Sequence, residues 1–195
     1  MWRADNLMIE LKYPKKDYNS KDGMQSAIFG PPFWMTIHMA SFNYPVNPTN
    51  EHKQNYLNWL LSFEHILPCR YCRENFPQNL KASGFDFNVT PLWKNKCMES
   101  RHEFSYFCYT LHDSVNKMLK KTSPSFEEIR DRYESFRAKC LSDHEKRKLK
   151  QKDKELGCIR PYHNGERGKC VISVKPINSN IPNFTIDAAC KPRQS

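Results

Sequence analysis

Leu67-Pro68-Cys69-Arg70-Tyr71-Cys72-Arg73-Glu74-Asn75-Phe76 reads as a CxxC set at the start of a helix. Pro68 lacks the amide hydrogen that a first-turn residue leaves unpaired, so it can open that helix. Cys69 is then expected in the first turn, where unpaired amides and the macrodipole favour a thiolate. Two cysteines at this spacing can close a small, reducible disulfide, and the rest of the chain is read as serving that pair.

Upstream, Tyr56, Trp59, Leu60, Phe63, Ile66 and Leu67 recur at three- and four-residue intervals and predict a helix from about Glu51 to Leu67. Before it, the segment Gly30 to Phe42 carries Phe33, Ile37 and Ala40 on one stripe, with Trp34 and His38 on a second. Pro31 and Pro32 are expected to open this helix rather than sit inside it. Residues 1–28 are polar, and the region of Lys15, Lys16 and Gly23 suggests a mobile lead-in.

Downstream, the CxxC helix should run to about Leu80, and residues 83–98, with Gly84 and Pro91, read as a loop. Arg101 to Lys120 is the best-patterned helix, with Phe104, Phe107, Cys108, Leu111, Val115, Met118 and Leu119 on a wide apolar face. His112 and Asn116 lie beside that face. Thr122-Ser123-Pro124-Ser125 supplies a capping signal for a fifth helix bearing Phe126, Ile129, Tyr133, Phe136 and Cys140. From Leu141 the character changes. Asp143 to Glu155 is nearly all charged and predicts a solvated helix or arm, and residues 157–195 predict loops or short strands pinned by disulfides.

No repeat and no alternation of strands with helices is visible. The expected fold is therefore all-α: a four-helix bundle with a short fifth helix, plus a basic, Cys-containing C-terminal extension. The divisions are 1–28, 29–140 and 141–195.

Composition narrows the function classes. A chain of 195 residues carries 31 Lys and Arg against 21 Asp and Glu, a formal charge of +10, which attracts polyanions non-specifically. No zinc-finger array, RRM signature or basic-region heptad accompanies that charge, so nucleic acid is not expected as the main partner. Only 38% of residues are hydrophobic, yet 12 are Phe, 9 Tyr and 4 Trp, which suits a compact core or a planar ligand. The N-terminal sequence has no apolar run fit for a signal peptide, and no stretch reaches membrane-spanning length. An intracellular, non-secreted chain is expected. There a CxxC is more often catalytic or metal-binding than a staple.

By itself the CxxC supports two chemistries. It can exchange with substrate thiols and disulfides, or it can supply half of a zinc site that needs two more ligands. Cys97, Cys108, His65 or His102 could complete such a site only through the fold. Trp34 with His38, and His112 with Asn116, place polar groups at the margins of apolar helix faces. They can be packed core groups, or the walls of a hydrogen-bonding aromatic cavity of the kind a flavin needs beside a redox disulfide.

Three segments in order resemble the Erv/ALR FAD-linked sulfhydryl oxidases. Gly30-Pro31-x-Phe33-Trp34-x-x-x-His38, followed by Tyr44-Pro45, resembles their opening helix; Pro68-Cys69-x-x-Cys72 resembles their active-site disulfide. Leu111-His112-x-x-Val115-Asn116, with Lys121 beyond, resembles their flavin-binding HNxVN segment. The likeness spans residues 29 to about 140 and is closest in style to compact members encoded by large double-stranded DNA viruses.

The resemblance implies an enzyme that forms protein disulfides. Electrons would pass from substrate dithiols through Cys69 and Cys72 and FAD to oxygen, giving hydrogen peroxide. Cys69 would meet the substrate and Cys72 would lie against the flavin. Gly30, Trp34, His38, Tyr44, His112, Val115, Asn116, Lys121 and Tyr133 would line the FAD, and no metal is expected. Implied partners are protein thiols, such as a thioredoxin-like redox protein or virion proteins, together with oxygen and a second copy in a homodimer. The host cytoplasm or virion is the implied location, with the mitochondrial intermembrane space as the alternative.

Asp113 departs from the family pattern, which has Asn there, so one polar flavin contact is expected to differ or to depend on pH. Tyr133 stands where an aromatic, often Trp, packs by the adenine. The extra structural disulfide of cellular relatives has no matching cysteine pair here. A shuttle disulfide would have to come from Cys158, Cys170 and Cys190 or from the partner. The competing reading is a zinc-stabilised basic binding module without redox activity.

Overall fold

The computed structural model describes residues 12–148, 157–163 and 165–191. A short helix α1 (Lys15–Tyr18) precedes α2 (Ser26–Phe42), α3 (Asn50–Ile66) and α4 (Arg70–Ala82). After two single 3-10 turns come α5 (Arg101–Met118) and α6 (Phe126–Glu134). The chain then forms β1 (Ala138–Cys140), α7 (Asp143–Lys148) and β2 (Cys158–Pro161). Helices α2 to α5 make the bundle and α6 closes one side of it against α2 and α5, as the apolar periodicities predict.

Side chains set the helix starts. The Thr49 hydroxyl accepts from the His52 amide at 3.2 Å while His52 Nδ1 accepts from the Thr49 amide at 3.3 Å, a reciprocal box that opens α3. Ser125 and Glu128 form the same arrangement at 3.2 and 2.7 Å and open α6, at the end of the predicted capping stretch. Ser100 caps α5 through the Glu103 amide.

Four expectations are corrected. Pro31 and Pro32 lie inside α2, which begins at Ser26, so the Ala27 and Ile28 carbonyls lose the helical amide donors they would otherwise have. Ile66 of α3 is exposed whereas Leu57, nine residues earlier and unremarked by the aromatic spacing, is in the core. In α5 the buried face ends at Leu111, and Met118 and Leu119 are open to solvent. Cys140 lies on β1 rather than on the fifth helix, which stops at Glu134.

One contiguous core joins Ile37, Tyr44, Leu57, Leu60, Phe63, Phe76, Leu80, Phe104, Phe107 and Leu111. Edge-to-face rings bridge its helices: Phe33 of α2 meets Phe63 of α3 at 4.9 Å, and Phe63 meets Phe76 of α4 at 6.1 Å. A smaller cluster of Phe42, Ile129 and Tyr133 seats α6 on α2. The segment 83–98 is ordered by buried Asn95, whose side chain accepts from the Asp86 amide at 2.8 Å and donates to the Asp86 and Leu92 carbonyls. β1 and β2 form a two-stranded antiparallel pair.

Candidate functional site

Cys69 and Cys72 are joined in a disulfide. Cys69 is the N-cap of α4, not a first-turn residue, and its sulfur accepts from the Cys72 amide at 3.2 Å. The favoured thiolate therefore arises by a different route from the expected one. The cap position aims the first-turn amide at Cys69 Sγ, and the positive end of the helix dipole faces the same atom. Cys72, one turn into α4, packs against the main core.

The lead-in contacts the chain around this disulfide through residues 21–24. Gly23 forms an isolated antiparallel bridge with Cys69. The Met24 amide donates to the Pro68 carbonyl, and the Arg70 amide donates to the Asp22 carbonyl at 2.8 Å. Arg73 reaches back to the carbonyls of Leu67 and Lys21, and Arg70 pairs with Asp22 at 3.1 Å. Gly23 has φ +98°, and a Cβ there would sit 2.4 Å from the Pro68 oxygen. Only glycine fits both the left-handed backbone and the close approach. Sequence reasoning missed this strap; the sole signal was a glycine in a polar lead-in.

On the facing helices, rings and imidazoles gather. Trp34 and His112 stack with centroids 4.1 Å apart and planes 6° from parallel. His38 Nε2 lies 2.9 Å from His112 Nδ1, and the His38 ring stacks on Tyr133 at 5.0 Å. One proton lies between the two imidazoles, whichever donates. His38 Nδ1, on a residue only 1% exposed, finds no hydrogen-bond partner among the described residues. An orphaned buried nitrogen is costly unless something else meets it.

Burial holds both imidazoles neutral. It lowers His38 to about 3, aided by His112 and Arg132. His112 is lowered to about 4, again mainly by burial, with Asp113 opposing and Lys121 assisting. The Asp113 carboxylate pairs with Lys117 at 2.7 Å. Hydrogen bonds from Lys117 and then Ser123 keep it below the usual carboxylate range, so it is charged at neutral pH. Asn116 donates to Ser123 at 3.0 Å, tying α5 to the segment that enters α6.

The other expected lining residues divide. Val115 is half-buried on α5, and Lys121 is exposed just beyond the helix end, its amide donating to the Asn116 carbonyl at 2.8 Å. Gly30 lies on α2 with open space where a Cβ would stand. Tyr44 is fully buried in the core; its hydroxyl donates to the Met98 carbonyl at 2.8 Å, and its ring meets Tyr56 and Phe104 instead of the imidazoles.

Cys97 and Cys108 are buried free thiols, and burial pushes Cys97 up to about 12 and Cys108 higher still. Neither ionises readily, so neither suits thiolate chemistry. No group of three or more His, Cys, Asp or Glu side chains comes together to hold a metal among the described residues. The zinc reading thus lacks the further ligands it needs.

A helical bundle with a disulfide at a helix cap and a neutral, aromatic-walled imidazole cluster defines a thiol–disulfide exchange protein built for a planar partner. Residues 31–134 match the Erv1 / Alr family. The chain belongs to that family. It is 28% identical over 106 residues to the "FAD-linked sulfhydryl oxidase" of African swine fever virus (isolate Tick/Malawi/Lil 20-1/1983), covering 54% of this chain and 80% of the relative. To the "Mitochondrial FAD-linked sulfhydryl oxidase ERV1" of Saccharomyces cerevisiae it is 27% identical over 118 residues, covering 60% and 56% respectively. The solved yeast Erv1 core superposes with a TM-score of 0.47 at 24% identity, covering 66% of this chain and 95% of that one.

Proposed function

We propose that this chain is an FAD-dependent thiol oxidase that makes disulfides in protein substrates. The observation that carries the reading is the capped Cys69–Cys72 disulfide in the same bundle as the ring cluster whose buried His38 Nδ1 is unpartnered. Family membership supports it, as do relatives that carry the name FAD-linked sulfhydryl oxidase.

The residues fit FAD. Trp34, His38, His112 and Tyr133 offer aromatic faces, and His38 Nδ1 offers a free polar atom. Asn116 and Val115 flank them on α5, and Gly30 leaves room on α2. Lys121, exposed beyond α5, suits phosphate charge. Tyr44 would act by holding the core on which the cluster rests. When bound, FAD supplies a two-electron acceptor that returns to its oxidised form with oxygen, giving hydrogen peroxide.

A substrate thiolate attacks Cys69 Sγ, the sulfur–sulfur bond breaks, and Cys72 leaves as a thiolate. A second substrate thiol attacks the mixed disulfide and releases the product, leaving a dithiol at Cys69 and Cys72. The Cys72 amide and the α4 dipole stabilise the Cys69 thiolate as it departs. The neutral imidazoles add no cation to the buried site.

The same reading extends to partners. Substrates are protein dithiols, such as a thioredoxin-like protein or virion proteins, and the location is a host cytoplasm or virion, with the mitochondrial intermembrane space as the alternative; the relatives include a viral and a mitochondrial protein. No helix is long and apolar enough to cross a membrane among the described residues. A homodimer through the α2 and α3 faces belongs to the same proposal; an open cleft of about 270 Å³ lies there beside Ala40, Asn55, Tyr56 and Trp59.

Cys72→Ser tests the mechanism. The variant is expected to keep bound flavin and to lose thiol-dependent oxygen uptake. Unchanged turnover would contradict the assignment.

A further inference from the structure

Cys140 and Cys158 lie beyond the family-matched residues 31–134. They occupy directly opposed positions in the β1–β2 pair, next to a β-bulge that follows Lys139. Opposed antiparallel residues have Cα atoms about 4.5–5.5 Å apart, within the roughly 4.4–6.8 Å that a disulfide spans. Both residues are exposed free thiols, and their side chains are in hydrogen-bond contact, which raises the pKa of Cys158.

Apart from Leu141, buried just after β1, the surrounding strand pair has little else to hold it. Every residue of β1 is exposed, and β2 is at most half-buried. The Tyr162 amide donates to the Arg137 carbonyl at 2.7 Å, Lys139 covers the Tyr162 ring at 4.5 Å, and Arg160 pairs with Glu145. Those contacts are solvent-facing, and a two-stranded pair without a buried face is marginal in water. The N-terminal side of the pair, by contrast, is fixed to the bundle, where Arg137 donates to the Phe42 carbonyl and pairs with Glu134.

We propose that Cys140 and Cys158 form a disulfide across this strand pair, made by the chain's own Cys69–Cys72 centre, which fastens the C-terminal extension to the helical domain. One thiol of the pair, as thiolate, attacks Cys69 Sγ and displaces Cys72. The other attacks the resulting mixed disulfide and displaces Cys69. The Cys69–Cys72 bond is broken and the Cys140–Cys158 bond is formed, and two protons pass from one pair to the other through solvent. This source of oxidant rests on the proposed function; the pairing itself rests on strand register.

The full chain, loaded with FAD, is reduced, freed of reductant and returned to air-saturated buffer with a chelator. Samples are acid-quenched, alkylated, digested without reductant and mapped by mass spectrometry, beside the Cys69→Ser/Cys72→Ser variant. Expected is a linked Cys140–Cys158 peptide pair in the parent chain, appearing about tenfold or more faster than in the variant. Equal rates in both would overturn the chain's own centre as the oxidant. Persistently alkylated Cys140 and Cys158, or a link of either to Cys170 or Cys190, would overturn the pairing. Two controls separate this from failure of the oxidase reading. Oxygen uptake with dithiothreitol reports that reading directly, and equilibration with glutathione disulfide reports the pairing in both proteins whatever its outcome. Cys140→Ser/Cys158→Ser should keep dithiothreitol turnover within about twofold while trypsin releases the extension faster, since exposed pairs lie outside the exchange site.

Discussion

The helical domain and the C-terminal extension place the same kinds of residue in opposite circumstances. In the bundle, aromatic and aliphatic side chains recur at helical intervals, and Leu60, Phe104, Cys108 and Leu111 are wholly buried. In the extension, Val171, Ile172, Val174 and Ile177 are all well exposed, the last at 89%. Cysteines follow suit: Cys97 and Cys108 are buried, while Cys140, Cys158 and Cys170 are exposed. An apolar residue contributes to a fold only where periodicity lets its neighbours bury the same face. The redox disulfide sits at the edge of the packed regime, on a helix cap, with Cys72 against the core and the Cys69 backbone bridged to Gly23 of the N-terminal strap.

The sharpest way to break that contrast is in the core. Leu111→Ala removes a fully buried side chain from α5 and should cost about 2–5 kcal/mol in urea unfolding. A cost near zero would mean that the ring cluster, not the packed core, sets stability.

Acid comes next. His38 and His112 titrate near 6.5 in the unfolded chain but near 3 and 4 when folded. The unfolded state therefore binds more protons between those values, so stability is complete above about 6.5 and falls as pH drops toward 4. Unfolding at about pH 4.5 should show the two imidazoles costing on the order of 2–5 kcal/mol relative to about pH 7. His38→Gln should flatten part of that slope, and an unchanged slope would show that the buried imidazole is not its source.

Gly23→Ala tests the strap with a smaller effect, about 1–3 kcal/mol, because a Cβ must fit a left-handed backbone against the Pro68 oxygen. The reduction rate of the Cys69–Cys72 disulfide by a small thiol should change with it, whereas a distant packing loss would leave that rate alone. Smallest of all, Ile177→Ala should change stability by less than about 0.5 kcal/mol. A large loss there would show that the extension hides a packed face.

These contrasts also explain what was legible in the sequence. The bundle was readable because α3, α5 and α6 carry apolar residues at three- and four-residue spacing, and Ser125 with Glu128 spells a helix start. The CxxC and the Trp34, His38 and His112 positions were readable as spacing, and their stacking follows from α2 and α5 packing together. Gly23 was not readable, since its reason is a tertiary contact with Pro68, 45 residues further along the chain. Tyr44 shared a motif with the site residues, yet its hydroxyl goes to a core carbonyl, which no local pattern announces. The β1–β2 pairing likewise depends on residues on either side of a charged segment, with no periodicity to join them.

The most direct test of the central claim is the visible absorption spectrum of the purified full chain, taken before and after dithiothreitol in air, with oxygen recorded alongside. The account predicts a flavin spectrum, loss of its visible band while the dithiol outpaces oxygen, its return as thiol is exhausted, and oxygen consumption throughout. A colourless chain that takes up no added FAD and consumes no oxygen with the dithiol would contradict it.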